Sequence, residues 1–276
     1  MNSSFAQDKL AYQLFDKELK PVNYKQAIKK IGKADIVLFG ELHNNPICHW
    51  LQVELTHDLY ATHKSDLLLA AEMFETDDQL VLNEYLQGQI KEKHLKSAAK
   101  VWSNYDTDYA PLVELAKVNK LTFVASNIPR RYANMVARSG LPSLDSLTEQ
   151  AKKYIAPLPI EVDMELPNYK KLMEMMKGHA GATSEQFVQA QAVKDATMAH
   201  FILQNWKKGK HIIHYNGSYH SNNFEGIVWY LKKQNPKLKI VTISSVSQDS
   251  IDQLGKEHLN LADFIIAIPN RMTKTY

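Results

Sequence analysis

Glu41 and His43 stand two residues apart, directly after a short apolar run and a glycine, Ile36-Val37-Leu38-Phe39-Gly40. Both side chains are costly to bury unpaired. A turn that carries both past the end of a buried strand is therefore a place to look for chemistry. The pattern recurs. Residues 67–71 are apolar and run into Glu72. Residues 211–215 precede Asn216-Gly217-Ser218-Tyr219-His220, so Gly-x-x-His follows two separate strands. Residues 121–125 lead into Ser126-Asn127-Ile128-Pro129-Arg130-Arg131. If these strands are parallel, all their carboxyl ends share one edge of a sheet and the groups converge. Glu41, His43, Glu72 and His220 then have the chemistry to hold a divalent metal or to act as acid and base. Lys194 and Asp195, on a long helical stretch, are placed to approach from the side.

Each residue also has a plainer reading. Glu72 could pair with Arg130, and His220 could cap the next helix or satisfy a backbone carbonyl. His211 and His214 fall inside a strand and read as packed residues. His57, His63, His94, His179 and His258 sit in polar surroundings and read as surface. The cluster Leu172, Met173, Met175, Met176 reads as core, since methionine is an adaptable gap-filler.

The elements that must position these groups alternate between strand and helix. Residues 8–33 carry Tyr12, Leu14, Phe15 and Leu19 at packing positions, and Asn23 caps a helix to Ile31. Strands are expected at 35–39, 67–72, 121–125, 211–215, 238–244 and 264–268. Helices fall between them: 46–63 by its apolar period, one capped by Thr76 or Asp77, a solvated one at 91–100, one from Pro111 to Asn119, one opened by residues 126–131 and running to Gly140, a long one at 184–207, and one at 224–231. Residues 141–182 break the rhythm with Pro142, Pro157, Pro159 and Pro167. They read as a helical insertion or lid. The expectation is an α/β fold, a mainly parallel sheet with helices on both faces. No Gly/Ser linker divides the chain, so residues 1–276 read as a single domain.

Composition narrows the function classes. The net charge of +3 is small and spread along the sequence, with no basic run interleaved with aromatics, so nucleic acid is a poor partner. The one cysteine, Cys48, allows neither a disulfide framework nor a cysteine-based zinc site. No apolar run approaches the ~20 residues that cross a bilayer. Ser4-Phe5-Ala6 resembles the small-x-small tail of a signal peptide without its apolar region; a short polar tail reads the same way.

Gly40-Glu41-Leu42-His43-Asn44-Asn45-Pro46, with His49 and Gln52 following, resembles the opening signature of the ChaN-like haem-binding proteins of the haem-uptake/Tiki superfamily. The likeness continues through Glu72-Met73-Phe74-Glu75, residues 126–130, residues 189–195 with Met198 and Ala199, and residues 216–220. It covers roughly residues 35–235. The resemblance implies haem as ligand, a role in iron acquisition, and a periplasmic or cell-envelope location, with the cytoplasm as the alternative. It also implies a homodimer around paired haems. His49, Asn127, Arg130, Asp195 and Tyr219 become ligand-binding candidates, with Tyr219, His49 and Tyr169 as axial ligands of the iron. The Met-rich insertion and Trp102, Tyr105 and Tyr109 are candidates for the apolar walls. Cys48 stands where relatives often have a second histidine, and Asn44 replaces a common aspartate. No lipobox cysteine occurs, so membrane association would need a lipidated precursor. The wider superfamily includes esterases and Tiki metalloproteases. They imply the alternative of a hydrolase built on Glu41, His43, Glu72 and His220, with or without a divalent metal.

Overall fold

The computed structural model describes residues 9–177 and 183–276. The polar stretch 1–7 and His179 lie outside the described residues. Seven strands form the sheet: β1 (Gln13–Asp16), β2 (Ile36–Glu41), β3 (Leu67–Glu75), β4 (Phe123–Asn127), β5 (His211–Gly217), β6 (Ile240–Gln248) and β7 (Phe264–Pro269). Their order is β1-β7-β6-β2-β5-β3-β4. All neighbours pair parallel except β1, which runs antiparallel to β7. This edge strand was not expected from the sequence.

Ten helices connect the strands among the described residues. They are α1 (Tyr24–Ile31), α2 (Pro46–His63), α3 (Gln79–Leu86), α4 (Glu92–Ala98), α5 (Ala110–Asn119), α6 (Arg130–Ser139), α7 (Glu149–Lys152), α8 (Pro167–Met175), α9 (Ser184–Asn205) and α10 (Ile227–Gln234). Asn23 caps α1 with the reciprocal Gln26 bond of a capping box. Asn45 caps α2 by accepting from the Ile47 and Cys48 amides. The polar α4 is not wholly solvated, because Leu95 is fully buried.

Side chains alternate across a strand, and β2 shows what that does here. Val37 and Phe39 pack with Leu51, Leu55 and Leu59 of α2 on one face. Ile36 and Leu38 pack with Ala199 and Ile202 of α9 and Leu231 of α10 on the other. Both faces of the strand are covered, as a parallel sheet requires.

The topology chooses where a ligand can enter. The chain moves one way across the sheet from β2 to β3 and β4, and the opposite way from β5 to β6 and β7. A crevice forms at the carboxyl ends of strands where the direction reverses. The adjacent strands β2, β5, β3 and β4 are the four that carry the Gly-x-x-His turns, Glu72 and Asn127. Pairing of β3 with β4 slips between Ala71 and Glu75. Such irregularities re-aim side chains, and Glu72 lies within this one.

Residues 141–177 hold a 3-10 turn, α7 and α8, and no strand. Tyr169 of α8 packs with Val188 and Ala192 of α9, and Leu172 and Met173 lie against them. No helix among the described residues is long and apolar enough to cross a membrane.

Candidate functional site

Glu41 ends β2 and is buried. Three groups meet its carboxylate. Gln52 Nε2 donates to Oε2 at 2.5 Å, Tyr109 Oη donates to Oε1 at 2.7 Å, and His43 Nδ1 lies 2.9 Å from Oε1. Gln52 comes from α2. Tyr109 closes a π-helical turn, Tyr105–Tyr109, just before α5; such turns recur at functional sites. The bond to Glu41 fixes the His43 ring. The ring then lies over the β5 turn, so close that a Cβ on Gly217 would sit 2.7 Å from Nε2. Gly217 has no side chain because this imidazole occupies its place. Trp102 packs edge-on to the same ring, with centroids 5.0 Å apart. Burial opposes protonation of His43, but the Glu41 bond and the charges of Glu72 and Glu41 outweigh it and raise the imidazole above its ordinary value.

The second cluster is closed on itself. His220 is buried between Asp195 (Nδ1 to Oδ1, 2.5 Å) and Glu72 (Nε2 to Oε1, 3.2 Å). Burial disfavours its charge, yet the two carboxylates raise its pKa to about 10. Burial likewise pushes against ionisation of Glu72. The charges of His220 and His43 and the Gly217 N–H, 2.8 Å away, hold it well below the usual carboxylate range. Asp195 is pushed up by burial, although it accepts from Tyr169 Oη at 2.7 Å and faces His220. The outcome is an imidazolium held between two acids.

These clusters form the floor of a cavity of about 820 Å³ at the carboxyl edge of the sheet. Its walls include Leu42, Trp102, Ile128 and Ala133, and Arg130 and Lys194 also line it. Asn127 lines it too, and its buried Oδ1 has no hydrogen-bond partner. Gln191 of α9 lines the wall beside His220.

Several expected partners differ. Glu72 pairs with His220, not Arg130, whose Nε lies 3.9 Å from Glu75, another residue of the cavity lining. His220 caps no helix. Arg131 pairs with Asp77 outside the cavity. His49 is buried, with Nδ1 on Gln52 Oε1 at 3.1 Å and Nε2 on the His43 carbonyl at 3.0 Å. It braces the turn from behind and does not line the cavity. Asp195 and Tyr169 likewise stand behind the wall. Tyr219 lines the cavity, but its hydroxyl donates to the Asn168 carbonyl. Tyr105 and Tyr109 are buried behind Trp102, and no described residue of 141–177 contributes to the lining. His214 is fully buried, as expected of a packed strand residue, while His63 and His211 stack at 3.6 Å.

No group of three or more His, Cys, Asp or Glu among the described residues is arranged to hold a metal ion. The set Glu41, His43, Glu72 and His220 fails for a chemical reason. His220 and Glu72 are bonded to each other, and His220 also to Asp195, so neither is turned to an ion shared with Glu41 and His43.

Tyr276 had no signal in the sequence. Thr275 is docked at the turn, its N–H on the Asn44 carbonyl at 3.0 Å and its hydroxyl on Asp108 Oδ2 at 2.7 Å. This carries Tyr276 across from β7 into the cavity wall.

A family model for haem-binding uptake proteins of the Tiki superfamily, ChaN, matches residues 27–231. The chain belongs to this ChaN family. No curated protein matches it in sequence. Among solved structures, ChaN of Campylobacter jejuni, described with cofacial haem binding, is similar with a TM-score of 0.71 at 20% identity, over 94% of this chain and 98% of that one. A mutant of the erythromycin esterase EreC in its open conformation reaches 0.53 at 12% identity, covering 96% and 98%. A succinoglycan biosynthesis protein reaches 0.51 at 15% identity, covering 89% and 90%. At such identities these likenesses establish the fold.

A haem needs room, apolar walls, cations for its propionates and an axial donor, and the cavity offers each. Its volume lies within the ~300–1,000 Å³ of small-molecule and cofactor sites. Trp102, Leu42 and Ile128 supply apolar wall, and Arg130 and Lys194 supply cations for the propionates. Among the histidines and tyrosines that line the cavity, the His43 Nε2 and the Tyr276 hydroxyl are in no hydrogen bond of the described residues. Imidazole and phenolate both serve as axial ligands. The residues present fit the group.

Proposed function

We propose that this protein binds haem in the cavity at the carboxyl edge of its sheet and serves haem or iron uptake in the cell envelope. The observation that carries the binding is the free donor pair, His43 Nε2 and Tyr276 Oη, set beside an indole wall and two cations. His43 is oriented as metal-bound histidines usually are, with its other ring nitrogen on a carboxylate. Bound haem would supply the redox-active iron. The protein's own groups would hold and orient it: Trp102 against the macrocycle, Arg130 and Lys194 on the propionates. The family match supports the uptake role, and the cofacial haem of the Campylobacter jejuni protein supports a homodimer around paired haems.

The axial donors are tested by the ferric spectrum of the haemin complex. His43→Ala or Tyr276→Phe is expected to change it, and loss of phenolate-to-iron bands in resonance Raman spectra of Tyr276→Phe would assign that ligand. A spectrum that neither substitution alters would contradict binding in this cavity.

A second reading rests on one observation. A buried carboxylate on Nδ1 with Nε2 free is the arrangement of an oriented general base. In a hydrolase, His43 would take the proton of water, Glu41 would hold the ring, and Glu72 and His220 would shape the floor. A panel of esters and peptides tests it: turnover that His43→Gln abolishes would support it, and its absence would leave the binding protein alone.

A further inference from the structure

The charge that is spread along the sequence is gathered in space. In a parallel sheet, every segment that leads into a strand lies at the amino edge, opposite the cavity. These segments bring Lys33 to β2, Lys64 to β3, Lys120 to β4, Lys207 and Lys208 to β5, and Lys237 and Lys239 to β6. All seven are exposed. Among the described residues, none of them makes an ion pair. The carboxylates at this edge are engaged: Asp263 with Lys30, Asp66 with Lys210, Asp35 with the Lys239 amide, Asp16, opposite the start of β7, with the Glu18 and Lys20 amides, and Glu18 with Lys20. The five strands are contiguous in the order β6-β2-β5-β3-β4. At about 4.8 Å per strand, their starts span about 20 Å.

We propose that this edge is a docking surface for an anionic lipid bilayer. The chemistry separates it from a nucleic-acid site. None of the chain's four arginines lies in these segments, and arginine is the residue that reads phosphate bidentately. None of the large hydrophobic side chains exposed on this protein lies in them either, so bases find no stacking platform. What remains is a row of mobile point charges, suited to many laterally diffusing headgroups. Such a row is attracted to an anionic surface through each lysine within a Debye length. Docked this way, the sheet would stand on the bilayer and the cavity would open about 20 Å above it, the length of strand β5.

Two double charge reversals separate the face from net charge alone. Lys207→Glu with Lys208→Glu alters the amino edge. Arg271→Glu with Lys274→Glu makes the same change of charge beyond the carboxyl end of β7. The full chain is sedimented with vesicles of phosphatidylcholine, or of phosphatidylcholine mixed with phosphatidylglycerol, at several salt concentrations. Wild type is expected to bind only the anionic vesicles and to release as salt rises. The amino-edge reversal is expected to weaken binding by at least about 25-fold, roughly fivefold for each lysine lost, with repulsion of the two new carboxylates adding to it, and the other reversal only slightly. Circular dichroism checks that both variants fold. Absence of binding to anionic vesicles, or equal losses in both variants, would overturn the proposal. Tighter binding to duplex DNA than to anionic vesicles at the same salt would overturn it in favour of nucleic acid.

Discussion

Asp195→Ala is expected to destabilise the protein by about 3–5 kcal/mol, the usual cost of breaking a buried ion pair from one side. Asp195 lies fully behind the cavity wall, yet its carboxylate is one of two that hold the His220 imidazolium, and it accepts the Tyr169 hydroxyl. Its loss leaves a buried cation with Glu72 alone and a buried phenol with no acceptor. Asp195→Asn keeps a hydrogen-bonding group of the same shape and is expected to cost less. Urea unfolding followed by circular dichroism gives both values. A change below about 1 kcal/mol in Asp195→Ala would place it among ordinary surface substitutions and would contradict the buried imidazolium.

The same network makes stability fall on the alkaline side. His220 has a folded pKa raised to about 10. Its contribution is complete below the unfolded histidine value of ~6.5 and is lost as pH rises toward the folded value. His43, also raised, acts in the same direction. His214 is the opposite case. Burial depresses it to about 4, so it favours folding above ~6.5 and loses that contribution as pH falls toward 4. Below ~6.5 that gain is opposed by Asp78, which burial raises to about 7 and which loses stability as pH rises toward that value; above it the His220 and His43 losses are expected to dominate. The alkaline limb should fall by on the order of 3 kcal/mol by pH ~9, at about 1.4 kcal/mol per unit for one titrating group. The urea midpoint measured against pH checks this. His220→Gln should flatten the alkaline limb and leave the acid limb in place. A wild-type curve that is level from pH ~7 to ~9 would contradict the assignment.

The parallel α/β fold was legible because both faces of its central strands are covered, which leaves short apolar runs such as residues 36–39 and 67–71 between amphipathic segments. β1 was not legible. Its four residues form an edge strand defined only by pairing with β7, which lies far along the chain. The convergence of Glu41, His43, Glu72, Asn127 and His220 at one edge was readable from parallel strand ends. The pairing inside the cluster was not. Glu72 and Asp195 both choose His220 because α9, which packs against β4, α6 and α10, brings Asp195 to it, and no local pattern encodes that packing. Glu41 was seen, but the Tyr109 and Gln52 bonds that freeze it depend on a π-helical turn and the first turns of α2. Tyr276 reaches the cavity through the docking of Thr275 on Asn44 and Asp108, a tertiary contact without any sequence period.

The floor of the cavity is polar and densely charged. The structure divides it into two parts. Glu72, His220 and Asp195 bond to one another beneath the cavity, while Glu41 holds His43 at the cavity wall and leaves its Nε2 without a hydrogen bond among the described residues.

Absorbance titration of the haem-free protein with haemin is the most direct measurement of this account. It predicts a Soret band that grows to saturation at a fixed ratio of haemin to chain and binding that weakens in the Arg130→Ala, Lys194→Ala double variant. Absorbance that rises without saturation, or saturates identically in wild type and the double variant, would contradict haem binding in this cavity.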